Sequence, residues 1–201
     1  MRTLGLLGGM AWPSTLTYYR RINEGVAQAL GGAHSARLLL WSADFAEIEA
    51  LQHAGDWATL GRRLGDAARR LADAGAERLV LCTNTMHAVA PAIEAAAPQA
   101  PLLHIADATA AAVRADGRRH VALLGTRFTM ERAFLRERLE AAGLSVQVPH
   151  RADRDHVHRI IYDELIQGRV TPRAQAAFGI ILEELADRGA EAAILGCTEL
   201  G

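Results

Sequence analysis

Hydrophobic positions along this chain fall into two alternating kinds of run. Short, continuously apolar runs stop at Gly, Cys or a polar turn; longer runs repeat their apolar residues every three or four positions. The first kind predicts buried strands over Thr3–Gly9, Ala36–Ser42, Glu77–Leu81, Leu102–Ile105, His120–Gly125, Leu144–Val148 and Glu191–Gly196. The second predicts helices over Trp12–Leu30, Asp56–Ala74, Met86–Ala97, Ala106–Asp116, Thr129–Ala142 and Asp153–Gln167, with another opening at Thr171-Pro172. Asp44–Gly55 reads as a polar segment with a short helix. On the Asp56 helix, Trp57, Leu60, Leu64, Ala67 and Leu71 share one face, and Arg62, Arg63, Arg69 and Arg70 lie largely elsewhere. Pro13 with Ser14-Thr15 is a helix-start signal, and Gly31-Gly32, Gly75, Gly143 and Gly168 are stops. Strand–helix alternation of this kind builds parallel sheets flanked by helices, an α/β fold.

The alternation restarts at His120. Leu71-Ala-Asp-Ala-Gly-Ala-Glu77 matches Leu185-Ala-Asp-Arg-Gly-Ala-Glu191 at six of seven places, at an offset of 114 residues (185 − 71). The offset is 117 between Gly8 and Gly125 and 115 between Cys82 and Cys197. Three matches in the same order argue for a duplicated half. The expectation is two α/β/α lobes, residues 1–105 and 106–201, related by a pseudo-twofold with an active-site cleft between them. Ligands of such sheets bind outside the carboxyl ends of the strands. Both cysteines sit at such ends, so they are expected on opposite walls of the cleft.

Composition narrows the chemistry. Net charge is −1, with no basic patch or charge block to imply nucleic acid or a disordered tail. No apolar run approaches the ~20 residues of a membrane span, and the N-terminal run is read as a strand, not a signal peptide. The expected compartment is the cytoplasm, where thiols stay reduced. All 22 basic residues are Arg, which excludes a lysine Schiff base and so pyridoxal phosphate held that way. There is no C-x-x-C, and no metal site is expected. Gly5-x-x-Gly8-Gly9 is not G-x-G-x-x-G, so a dinucleotide site is not read there. Gly125-Thr-Arg-Phe-Thr129 opens a helix and suits an anion, and simple capping explains it as well.

Cys82 and Cys197 are the only cysteines, and each is followed by Thr. A helix N-terminus after Cys82 would lower its thiol pKa from the usual ~8.5 and would attract a carboxylate. Thr83, Asn84 and Thr85 suit a substrate carboxylate; Thr198 and Glu199 add polar groups opposite, Glu199 suiting an ammonium. With an amino acid between the walls, one thiolate removes the α-proton and the opposed thiol delivers one to the other face. Inversion needs two acid/base groups in opposite protonation states, and their titrations are coupled. His87, five residues beyond Cys82, is read as a helix residue with satisfied hydrogen bonds, with tuning of Cys82 as the second reading.

These residues resemble the aspartate/glutamate racemase superfamily, and within it the bacterial broad-specificity amino-acid racemases of the aspartate type. The resemblance rests on Gly5-Leu-Leu-Gly-Gly-Met10, Thr17-Tyr-Tyr-Arg20, Cys82-Thr-Asn-Thr-Met-His87, His104-Ile-Ala-Asp107, Leu124-Gly-Thr-Arg-Phe-Thr-Met130, Ile161-Tyr-Asp-Glu-Leu165 and Gly196-Cys-Thr-Glu199. It implies a cofactor-independent isomerase with a cysteine on each lobe, no metal, an amino-acid substrate and a homodimer. Cys82 and Cys197 would be the acid/base pair; Thr83, Asn84 and Thr85 would hold the carboxylate; Met10, Gln52 and Glu199 would line the pocket. Relatives that racemise hydantoins, decarboxylate arylmalonates or isomerise maleate share this framework, and a non-catalytic amino-acid-binding homologue would keep the cleft without turnover.

Three features depart from the family pattern. Pro13 replaces a Glu that often follows Trp. The basic groups that aspartate-preferring relatives place against the side-chain carboxylate are reduced to Arg154 or His156, while the loop after the second strand offers Asp44, Glu47 and Glu49. Relatives also continue past the second Cys-Thr with a strand and helix that complete the first lobe, so residues 1–105 are expected to lack that completion.

Overall fold

The computed structural model describes residues 1–200, except for the side chain of Glu199. It divides into two units, Met1–His104 and Ile105–Gly201.

The first unit is built on a parallel sheet of β1 (Leu4–Gly8), β2 (Leu38–Ser42), β3 (Arg78–Leu81) and β4 (Leu102–Leu103), in the order β2-β1-β3-β4. Alternate residues of β1 face opposite sides, as the strand period requires. Leu7 joins the core formed with α2 (Phe45–Ala54), α3 (Trp57–Asp73) and α4 (Ala90–Ala96), where Leu60, Leu64, Leu71, Leu79, Leu81 and Ile93 are buried. Gly8 faces α1 (Trp12–Leu30) instead: a Cβ there would lie 2.5 Å from the Thr15 methyl. Trp12, Leu16 and Tyr19 on α1 are exposed.

The second unit contains β5 (His120–Leu124), β6 (Ser145–Gln147) and β7 (Ala192–Leu195), parallel in the order β6-β5-β7. Its β5 is covered on both faces. Val121 and Leu123 pack with α5 (Ile105–Ala115) and α7 (Ala133–Ala141); Ala122 and Leu124 pack with α8 (Arg151–Asp163) and α9 (Pro172–Asp187). In each unit the first strand is central, flanked by the second and third. A shared glutamate reinforces this likeness. Glu77 accepts the Thr3 N–H at 3.0 Å, and Glu191 accepts those of Arg119 and His120 at 2.8 and 3.0 Å, so each pins the start of its unit's first strand.

Many element ends follow the expected signals. Asp44, Asp56 and Thr171 cap α2, α3 and α9 through their side chains. Three long helices are interrupted. Met86–Ala97 is a 3-10 turn, Thr85–Val89, followed by α4; Pro91 lacks the N–H that would continue a helix through this point. Thr129–Ala142 is α6 (Arg127–Glu131) and α7, separated at Arg132, whose backbone is extended; the cap is Thr126, not Thr129. The third, Asp153–Gln167, starts earlier as α8 and ends in a 3-10 turn, Leu165–Gln167, before the left-handed Gly168. No described helix is long and apolar enough to cross a membrane.

Candidate functional site

Cys82 follows β3 directly, and its N–H donates to Leu7 O at 2.9 Å. This last ladder bond fixes the backbone at the carboxyl edge of the sheet. The residue is 0 % exposed. Burial pushes its thiol up to about 12, because desolvation disfavours the thiolate. The lowered pKa expected from a following α-helix is therefore corrected. The chain after Cys82 forms a 3-10 turn, too short to gather a helix dipole, and desolvation dominates. Burial thus favours the protonated Cys82 thiol at neutral pH.

Thr83, Asn84 and Thr85 are half-buried around the turn. Asn84 has helical backbone angles and its side-chain oxygen is buried. His87 closes the turn twice. Its backbone N–H donates to Asn84 O at 3.0 Å, and its Nδ1 lies 2.9 Å from Thr83 O and 3.3 Å from Asn84 O. Met10, just past β1, is buried. Gln52 on α2 is also buried, and its Nε2 donates to Met86 Sδ at 2.8 Å, tying α2 to the turn after Cys82. Met10, Gln52, Cys82, Thr83, Asn84 and Thr85 thus all belong to the first unit, at or beside the carboxyl ends of β1 and β3 or on α2.

Cys197 and Thr198 belong to the second unit. The Gly196 N–H donates to Leu124 O at 2.6 Å, and Leu200 N–H to Cys197 O at 3.1 Å in a 3-10 turn, Thr198–Leu200. Cys197 is partly buried and packs with the α8–α9 side of the core; Thr198 is exposed. The Glu199 side chain lies outside the described residues. Register refines the repeat. Leu81 pairs with Leu7 and Leu195 with Leu124, so the counterpart of Cys82 in the second sheet is Gly196, and Cys197 comes one residue later.

Two further side chains, Tyr18 and His104, lie in the Thr17–Arg20 and His104–Asp107 stretches that carry the family resemblance, and nothing in those stretches assigned either a role. Tyr18 on α1 has its phenol pushed up to about 12, first by burial and then by the charge Cys82 would carry. Its spacing of three from Thr15, on the helix side facing β1, is the feature that could have marked it. His104, buried at the end of β4, packs edge-on against His87 with ring centroids 4.5 Å apart. Arg154 is engaged by Glu131 at 3.1 Å and by Pro149 O at 3.2 Å. A groove of about 750 Å³ between α3 and α4, lined by Trp57, Gly61, Gly65 and Ala92 among others, contains none of the candidate residues. Among the described residues no cluster of three or more His, Cys, Asp or Glu is arranged to hold a metal ion.

The family model described as Asp/Glu/hydantoin racemase matches residues 7–201. A provisionally named Asp/Glu racemase from Yersinia pestis is 50 % identical, with a TM-score of 0.94 over all of this chain and 87 % of its own. An aspartate racemase homologue from Pyrococcus horikoshii is 32 % identical, with a TM-score of 0.83 over the same shares. The aspartate racemase of Picrophilus torridus, at 18 % identity, shares the fold, with a TM-score of 0.74 over all of this chain and 82 % of its own.

Proposed function

Because the chain belongs to the Asp/Glu/hydantoin racemase family, we propose that it is an amino-acid racemase. It interconverts L- and D-enantiomers of aspartate, glutamate or a broader set by proton transfer between Cys82 and Cys197, without pyridoxal phosphate. The observation that carries this reading is a Cys-Thr pair just past the third strand of each unit: Cys82-Thr83 directly after β3, and Cys197-Thr198 one residue beyond the end of β7.

In this mechanism the amino acid lies with its carboxylate against the Thr83–Thr85 turn. One cysteine thiolate takes the α-proton, and the electron pair is delocalised into the carboxylate. The other thiol then protonates the opposite face. One C–H bond breaks and one forms, one thiol is lost and one gained, and no oxidant or reductant is needed. Burial favours the protonated form of Cys82, which is the form that delivers a proton to the carbanion. Donors aimed at the developing carboxylate charge supply the electrostatic stabilisation that such a carbanion needs.

Proton NMR in D₂O with a panel of L-amino acids tests the reading. The expected result is loss of the α-proton signal with a matching gain of optical inversion, and loss of that inversion in Cys82→Ser and Cys197→Ser. Inversion at the parent rate in either variant would overturn the two-thiol mechanism. Hydantoin racemisation is the second reading, because the family description names it, and 5-substituted hydantoins belong in the same panel. The resemblance also carries a cytoplasmic homodimer; light scattering on the purified protein tests the dimer.

A further inference from the structure

The side chain of His87 is 1 % exposed and that of His104 4 % exposed, and neither has a part in the proton transfer. Their position relative to Cys82 is set by the sheet. Val80 pairs with Leu103, so continuing the register sets His104 beside Leu81, one residue before Cys82. His87 lies on the other side of that cysteine, at the end of the turn. The ring centroids are 4.5 Å apart at 65°, an edge-to-face contact.

The tautomer of His87 is dictated by its partners. Thr83 O and Asn84 O are carbonyl oxygens and can only accept, so Nδ1 carries the proton and donates to them. The Thr83–Asn84 and Asn84–Thr85 peptides are trans, and in a trans peptide the N–H points opposite to the C=O. Drawing both carbonyls toward His87 therefore turns the Asn84 and Thr85 N–H groups the other way. Successive N–H groups turned to one side form an anion-binding concavity.

We propose that His87 is the positioning residue of the Cys82 turn: its Nδ1–H holds the Thr83 and Asn84 carbonyls, which aims the Asn84 and Thr85 amides at a substrate carboxylate, and His104 walls the imidazole in place. The carboxylate rests on the racemase reading above; the hold on the turn does not. A leucine would fill much of the same buried volume without the donor, so the donor and the volume can be separated by substitution.

The experiment compares His87→Leu, His87→Asn and His87→Gln, each in wild-type and in Cys197→Ser protein. Asn places an amide N–H near the Nδ1 position, and Gln places it near Nε2. In the Cys197→Ser background Cys82 is the only thiol, and its alkylation by iodoacetamide reports how tightly the turn is held. The expected result is labelling at least tenfold faster in His87→Leu and His87→Gln than in the parent, with His87→Asn close to the parent. In the wild-type background kcat/KM for racemisation falls about 100-fold in His87→Leu, the scale of a small misplacement, and His87→Asn recovers at least tenfold of it. Equal labelling of all His87 variants, or labelling that follows melting temperature alone, overturns the proposal. If His87→Leu does not fold, the Gln–Asn contrast decides in the same way. A parent protein with no α-proton exchange refutes the racemase reading, while the labelling order still decides the role of His87.

Discussion

Gly196 stands in the second sheet where Cys82 stands in the first. Each donates its N–H to the last leucine of the central strand, Leu124 and Leu7 respectively, at 2.6 and 2.9 Å. The two cysteines are therefore one residue out of step with the repeat, and their surroundings differ. Cys82 ends inside its unit at 0 % exposure, whereas Cys197 is only partly buried.

This asymmetry predicts an order of modification. Iodoacetamide at neutral pH labels Cys197 before Cys82, because the reagent reaches partly exposed sulfur and the buried thiol stays protonated. Peptide mass spectrometry over a labelling time course checks the order. With Cys197→Ser, labelling of Cys82 accelerates only as pH rises toward its elevated pKa of about 12. Cys82 reacting first at neutral pH would contradict both its burial and its protonation.

Much of this arrangement was legible in the sequence. Strand ends read at Gly9, Leu81 and Gly125 fall within one residue of the observed ends at Gly8, Leu81 and Leu124, and the helix starts read at Asp44, Asp56 and Thr171 are the observed caps. The one-residue slip between the cysteines was not legible, because offsets of 114, 115 and 117 cannot be ranked without a ladder to count along. The raised Cys82 pKa was hidden for a similar reason: a strand end shows where a thiol sits along the chain, not how deeply neighbouring elements enclose it. The break at Arg132 lacks any Pro or Gly to announce it. Pro91, by contrast, was visible, and its missing N–H explains the 3-10 turn that holds Thr85–Val89.

Gly8 is predicted to tolerate no side chain. A Cβ would lie 2.5 Å from Thr15 Cγ2 and 2.8 Å from Thr15 Oγ1, and that same Oγ1 accepts the Gly9 N–H at 2.9 Å. Gly8→Ala should therefore destabilise the protein by about 1–3 kcal/mol, the usual cost of overpacking. Urea denaturation measures it. Since the clash is with Thr15, the double variant Gly8→Ala/Thr15→Ala should lose less than the sum of the single losses. Strict additivity would place the strain elsewhere.

Tyr18 offers a spectroscopic check on the interior near Cys82. The protein has three tyrosines, and burial holds the Tyr18 phenol protonated up to about 12. A titration followed at the phenolate absorbance should show a late step near pH 12, and Tyr18→Phe should remove it. A late step that persists in the variant would assign it to another tyrosine.

Glu191 predicts how the second unit responds to acid. Its carboxylate accepts the Arg119 and His120 N–H groups, and these bonds hold its pKa below the ordinary 4.5. A depressed folded-state value stabilises the fold above the unfolded pKa, and that contribution is lost as pH falls through the depressed folded value. Glu191→Gln keeps an acceptor oxygen but removes the charge. Its melting temperature should therefore lie below that of the parent at neutral pH, with the gap constant down to about pH 5 and closing below the ordinary 4.5. Melting curves from neutral pH to about pH 3 give the comparison. A gap that stays constant to the lowest pH would mean that geometry alone, and not the carboxylate charge, pins the start of β5.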